Sequence, residues 1–169
     1  PTGSHKLINA RAETVATTGL ADARAAIAQM RDNGVRDTGL GPALQDLARR
    51  FGQRTGVAVT LDSDDAIARA TDERAETVFR IVEEALRNVE RHADARQVRI
   101  GLRSSSRHGQ PASVAVEVVD DGIGFDPRLP RPGLFGLRGI QEQAALIGAE
   151  LGIHSKPGEG TRIAIDYVA

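Results

Sequence analysis

The stretch Thr71–Ala93, TDERAETVFRIVEEALRNVERHA, decides how this chain is read. Val78, Ile81, Val82, Ala85, Leu86 and Val89 recur at the spacing of one face of an α-helix, which predicts a helix with that face buried. At about 100° per residue, Asn88 falls roughly 20° from Ile81, and His92 falls between Ile81 and Ala85. Glu84 lies about 40° from Asn88, with Arg91 about 20° beyond it. Glu84, Asn88, Arg91 and His92 thus form a polar seam along the edge of the apolar stripe. By itself the seam fits either a solvated flank with one satisfied histidine or the wall of a site.

Downstream the period changes from that of a helix to two. Val98, Ile100 and Leu102 share a face within Gln97–Arg103, and Val114, Val116 and Val118 share one within Ser113–Asp120, predicting two strands joined by a hairpin loop over 104–111. The same alternation puts Asp120 on the apolar face of its strand, where a carboxylate is costly without donors. Asp120 therefore either caps a tight turn, as Asp-Asp-Gly often does, or accepts a hydrogen bond from an exocyclic amine such as that of adenine. Asp121–Gly136 is rich in glycine and proline, and is long for a connection in a compact domain, which marks a candidate lid. Leu137, Ile140, Ala144 and Ile147 then stripe a helix. Leu151 and Ile153 mark a short strand, and Thr161, Ile163, Ile165 and Tyr167 a closing strand with the Thr161 hydroxyl on its inner face.

Upstream, Leu20–Met30 reads as a short helix ended by Asp32-Asn33-Gly34, and Leu44, Leu47, Ala48 and Phe51 as a second one ended by Gly52. Val57–Leu61 reads as a strand. Residues 1–5 look like a cloning scar, so His5 carries no meaning. Hairpins and crossovers together predict an α/β (α+β) two-layer sandwich, a mixed sheet covered on one face by helices.

Composition narrows the function without naming it. The 169 residues are 40% hydrophobic and 27% charged with a formal net charge of −1, which argues against a basic nucleic-acid binder and a disordered tail. There is no cysteine, so disulfides and thiolate metal sites are excluded. No apolar run approaches the roughly 20 residues of a membrane helix, so membrane contact is not expected and a cytoplasmic location is.

Two further glycine clusters are placed to meet phosphates through backbone N–H groups: Gly133-Leu134-Phe135-Gly136-Leu137-Arg138-Gly139 entering a helix, and Gly158-Glu159-Gly160-Thr161 entering the last strand. Neither matches a P-loop or a dinucleotide-binding turn. In order, Glu84 to His92, Asp120-Asp121-Gly122-Ile123-Gly124-Phe125, Gly133 to Gly139 and Gly158 to Thr161 resemble the boxes of the GHKL ATP-binding fold, with its Bergerat-type sheet, shared by histidine kinases, type II topoisomerases and certain chaperones. The wording around Glu84-Ala85-Leu86 and Gly136-Leu137 is similar to NarL-type sensor histidine kinases of two-component systems. Asp37–Leu44 resembles the link that follows the dimerisation helices of that subfamily.

The resemblance implies a boundary: residues 6–38 as the remnant of a second dimerisation helix and linker, and 39–169 as the catalytic domain. It implies that Asn88 binds Mg²⁺ and that Glu84 is catalytic, either polarising the nucleophile or contacting the magnesium through an oriented water. Arg91 and His92 would contact ATP phosphates, and Asp120 would read adenine with Thr161 supporting the base through a water. Gly122, Gly124, Gly133, Gly136 and Leu137 would form the lid and its phosphate contacts. None of His5, His92, His108 and His154 lies in the run that carries the acceptor histidine of the family, so the acceptor is expected on a separate dimerisation and phosphoacceptor domain, with a response regulator as indirect partner. The alternative is an anti-sigma-type serine kinase or nucleotide-binding interaction module of the same fold.

Overall fold

The computed structural model describes residues 34–106, 112–128 and 135–168. Gly133, the helix read at Leu20–Met30 and His108 lie outside them. Among the described residues two helices come first, α1 (Val35–Thr38) and α2 (Leu40–Thr55), followed by β1 (Ala58–Ser63), α3 (Asp65–Ala68) and α4 (Glu73–Asn88). A π-helical turn, Val89–Ala93, extends α4 before β2 (Gln97–Ser105), β3 (Ser113–Asp120), α5 (Phe135–Leu146), β4 (Glu150–Ser155) and β5 (Thr161–Val168).

Local chemistry sets several of these boundaries. The Asp72 carboxylate accepts the Ala75 N–H at 2.8 Å and caps α4, with Glu73 and Glu76 in the first turn facing the positive end of the helix dipole. Gly56, at φ 76°, ends α2 by donating its N–H to Gly52 O at 2.9 Å. The sequence reading stopped this helix at Gly52 and started it near Leu44; the glycine in the left-handed conformation is Gly56, one turn later. Helix α3 escaped that reading because four residues show no period. Val35, read as linker, is fully buried in the core.

The sheet runs β1-β2-β3-β5-β4, with β1 parallel to β2 and every other pair antiparallel. One face carries Val98, Ile100, Leu102, Val114, Val116, Val118, Ile163, Ile165 and Tyr167, all buried. Against it pack Val78, Ile81, Val82, Ala85 and Leu86 of α4 and Leu40, Leu44 and Phe51 of α2. The other face presents exposed Arg99, Arg103 and Arg162. This is the expected two-layer mixed sheet covered on one side. Each fully buried Leu, Ile, Val or Phe contributes about 1.5–3 kcal/mol of transfer free energy, so the covered face holds the layers together.

Candidate nucleotide site

The polar residues gather at the end of the sheet where β3 stops. On the helix-covered face the register aligns Val98 with Asp120, Asp120 with Thr161, and Thr161 with Ser155. Next to Val98, the last rung of this largely apolar face is therefore Asp120, Thr161 and Ser155. Asp120 is 8% exposed and accepts N–H groups from Gly122, at 2.9 Å, and from Thr161. Burial raises its pKa above the usual carboxylate value, those two donors work against the rise, and the neighbouring Asp121 charge adds to it. Asp120 thus does cap the turn at Gly122, and it remains a buried acceptor with lone pairs to spare.

Asp121 has a different role. Its Oδ1 accepts the Arg96 and Gln97 N–H groups, each at 2.8 Å, and holds its pKa below the usual value. It anchors the start of β2.

Above the rung, Glu84 and Asn88 meet the start of α5. A Cβ added at Gly136 would overlap Asn88 Oδ1, and would lie 2.8 Å from Glu84 Oε1 and 2.9 Å from Asn88 Cγ. The helix start can come this close only because residue 136 has no side chain. Glu84 also accepts a hydrogen bond from Arg87 Nη1 at 2.6 Å. Asn88 Nδ2 is buried with no hydrogen-bond partner, one of two such side-chain atoms among the described residues. A buried amide without a partner costs about 1–3 kcal/mol, and polar groups left so are characteristic of ligand-binding positions. Leu137 packs half-buried against the core.

The seam does not continue as the helical wheel predicts. From Val89 to Ala93 the turn is widened by one residue, so the site-facing line runs Glu84, Asn88, Ala93, and Arg91 and His92 are exposed. Ala93 closes the other side of the site, its carbonyl accepting the Ile123 N–H at 2.7 Å.

The glycines of the second and fourth boxes are packed by protein. A Cβ at Gly122 would lie 2.8 Å from both Ala93 Cβ and Asp120 Oδ1, and one at Gly124 (φ 59°) would lie 2.7 Å from Gly160 O. Gly158 N–H donates to Ile123 O, Asp121 N–H to Gln97 O, and Phe125 N–H to Ser155 Oγ. The first part of the proposed lid is therefore tied at Asp121, Ile123 and Phe125, rather than freed by its glycines. The strand striped by Leu151 and Ile153 runs two residues beyond its last apolar position, and the same period brings Ser155 onto the rung.

These residues suit a nucleotide with a hard cation. Asn88 and Glu84 offer the oxygen donors magnesium takes, and it keeps waters rather than demanding a full protein cage.

Known proteins share this fold and parts of this sequence. The sequence profile of the Histidine kinase-, DNA gyrase B-, and HSP90-like ATPase family matches residues 73–168. The chain is 32% identical over 146 residues to the signal transduction histidine-protein kinase/phosphatase DegS of Brevibacillus brevis, a match covering 86% of this chain and 36% of DegS. The chain thus spans about a third of that relative. The histidine kinase domain of the Erythrobacter litoralis EL346 blue-light activated histidine kinase superposes with a TM-score of 0.59 at 29% identity, covering 76% of this chain and 60% of that one. The Acinetobacter baumannii histidine kinase AdeS shares the fold, with a TM-score of 0.59 at 13% identity over 76% of this chain and 62% of AdeS. With polar and glycine residues gathered at one end of this sheet, and the profile spanning more than half of the chain, the protein belongs to the histidine kinase-, DNA gyrase B- and HSP90-like ATPases.

Proposed function

We propose that this domain binds Mg-ATP between α4, α5 and the Asp120 end of the sheet, and transfers the γ-phosphoryl group to a histidine of a dimerisation and phosphoacceptor element, in the manner of a NarL-type sensor kinase. The observation that carries this reading is the convergence of Glu84 and Asn88 on Gly136, with Asn88 Nδ2 buried and unpartnered. In it, residues 6–38 are the end of a dimerisation helix and linker, with Val35 already packed on the catalytic unit, and a response regulator is the later recipient of the phosphoryl group.

Asn88 and Glu84 would hold magnesium, which would supply compensation for the charge developing in transfer. Asn88 would hold it through the amide oxygen. Glu84, one helical turn earlier, would polarise the incoming imidazole or orient a water. Asp120 accepts from the exocyclic amine of the base, with Thr161 beside it. Arg91 and His92, exposed beyond the widened turn, are free to reach phosphates. Gly122 and Gly124 shape the floor, while Gly133, Gly136 and Leu137 belong to the segment that faces the phosphates.

The nucleophile arrives from another element, so the site supplies position and charge compensation rather than covalent chemistry. Incubating the chain with Mg-ATP and a separate helical hairpin bearing the acceptor histidine should place acid-labile, base-stable phosphate on the hairpin. The transfer should be slow and concentration-dependent, because an untethered acceptor lacks a high effective concentration. Label on a serine of a partner protein would replace this reading with the serine-kinase alternative.

A further inference from the structure

The hydroxyl of Ser155 joins its own strand to two other chain segments. It donates to Gly160 O at 2.9 Å, accepts from Phe125 N–H at 2.9 Å, and lies 3.0 Å from Thr161 Oγ1. A hydroxyl has one proton and two lone pairs. With its proton on Gly160 and one lone pair on Phe125, Ser155 can meet Thr161 only by accepting, so Thr161 donates its single proton to Ser155. Thr161 Oγ1 is left with lone pairs alone. Its neighbour on the same rung, Asp120, is also an acceptor and has its own backbone donors in place.

From this proton count we infer that Ser155 is a positioning residue that sets base specificity through Thr161: it fixes the threonine hydroxyl as an acceptor, so that the rung presents acceptors only. A base edge carrying an amine satisfies those acceptors, whereas an edge carrying a carbonyl in the same place meets lone pairs with lone pairs. The same contact draws the Phe125 segment onto the Gly160 turn, which links the second and fourth boxes. This inference rests on the nucleotide-site reading above and deepens it by naming what chooses the base.

The test measures ATP and GTP affinity by calorimetry for wild type, Ser155→Ala, Ser155→Thr and Thr161→Val, and for the Ser155→Ala/Thr161→Val pair. Ser155→Ala frees the Thr161 proton to point at a carbonyl, so the ATP-over-GTP preference should shrink about fivefold or more, the worth of one neutral hydrogen bond. Ser155→Thr, which keeps the hydroxyl, should restore it. In the Thr161→Val background the Ser155→Ala change should leave the preference where Thr161→Val alone puts it. Should Ser155→Ala fail to fold, Ser155→Cys offers a weaker acceptor of similar size and should lower the preference partway. A merely structural serine would weaken ATP and GTP equally and leave the ratio unchanged, which overturns the inference while the nucleotide site stands. Failure of the wild type to bind any adenine nucleotide would instead overturn the site itself.

Discussion

Substituting Gly136 by Ala separates the closeness of α5 to Asn88 from the stability of the helix. Alanine in a helix is favoured over glycine by about 0.5–1 kcal/mol. Against that, the new methyl would overlap Asn88 Oδ1 and stand 2.8 Å from Glu84 Oε1. Overpacking of this kind costs about 1–3 kcal/mol. The nearest atoms are side-chain ends, so Asn88 can swing aside and the net loss of stability should stay below about 2 kcal/mol. Binding should suffer more, because a hydrogen bond or ligand contact from an oriented amide to a charged partner is worth about 1.5–3 kcal/mol, or roughly 10–150-fold in Mg-ADP affinity. Gly139→Ala is the matched control: it lies in the same helix, no atom lies within 4 Å of its added Cβ, and its φ is not positive. It should raise the thermal midpoint by about 2–4 °C and leave nucleotide affinity alone. Scanning calorimetry and titration calorimetry on the two variants supply the comparison. If Gly136→Ala binds Mg-ADP as tightly as wild type, the juxtaposition of Asn88 with Gly136 is not what organises the site.

Asp120→Asn should weaken adenine nucleotides far more than it perturbs the fold, since an amide can present N–H to the amine of the base; unchanged affinity would remove Asp120 from the site. Because burial raises the Asp120 pKa, the folded protein holds this proton more tightly than the unfolded chain, so the group costs stability as pH rises through its folded pKa and the cost vanishes below the unfolded value. Nucleotide needs the ionised acceptor, so ATP affinity of wild type relative to Asp120→Asn should fall as pH is lowered from neutrality through that raised pKa, in titrations at stepped pH. Asn88→Asp should abolish phosphotransfer to a hairpin acceptor while much of the adenine affinity survives; full transfer activity in a radiolabel assay would rule out Asn88 as the magnesium contact. The amides of Ile123 and Phe125 should show hydrogen-exchange protection without nucleotide, because Ala93 O and Ser155 Oγ accept from them. Phe51→Ala, at a position 2% exposed, should cost about 3–5 kcal/mol by denaturant titration with no selective effect on nucleotide.

How much of this was legible in the sequence depends on how regular the backbone is. Glu84 and Asn88 sit within ideal α-helix, and Asp120 within an uninterrupted strand, so counting residues placed all three correctly relative to the core. Arg91 and His92 were projected inward on an ideal 3.6-residue period, and the π-helical turn at Val89–Ala93 carries them outward and brings Ala93 in. The glycine clusters were recognisable as special. Their cause, carbonyls and side chains of segments tens of residues away, is a tertiary fact that no local pattern records. Ser155 belongs to this second kind, since its importance lies in contacts with Phe125 and Gly160 and nothing in its own neighbourhood announces it.

The strand order has a consequence for how the site comes into being. Strand β5 lies inside the sheet, between β3 and β4, although it follows β4 along the chain. A chain that has collapsed its helices and closed the β2–β3 hairpin still lacks Thr161 and its donor to Asp120, and Ser155 is not yet held against Thr161 and Gly160. The pairings of Asp120 with Thr161 and of Phe125 with Ser155 join residues about 30 to 40 apart, and non-local strand pairing of that kind is slower than helix and hairpin formation. Nucleotide recognition is therefore absent from any partly folded form that lacks β5, and arrives in one step when that strand docks. Binding of ATP would report completion of the sheet, and in a folding experiment a fluorescent nucleotide would serve as a clock for the last strand rather than for collapse.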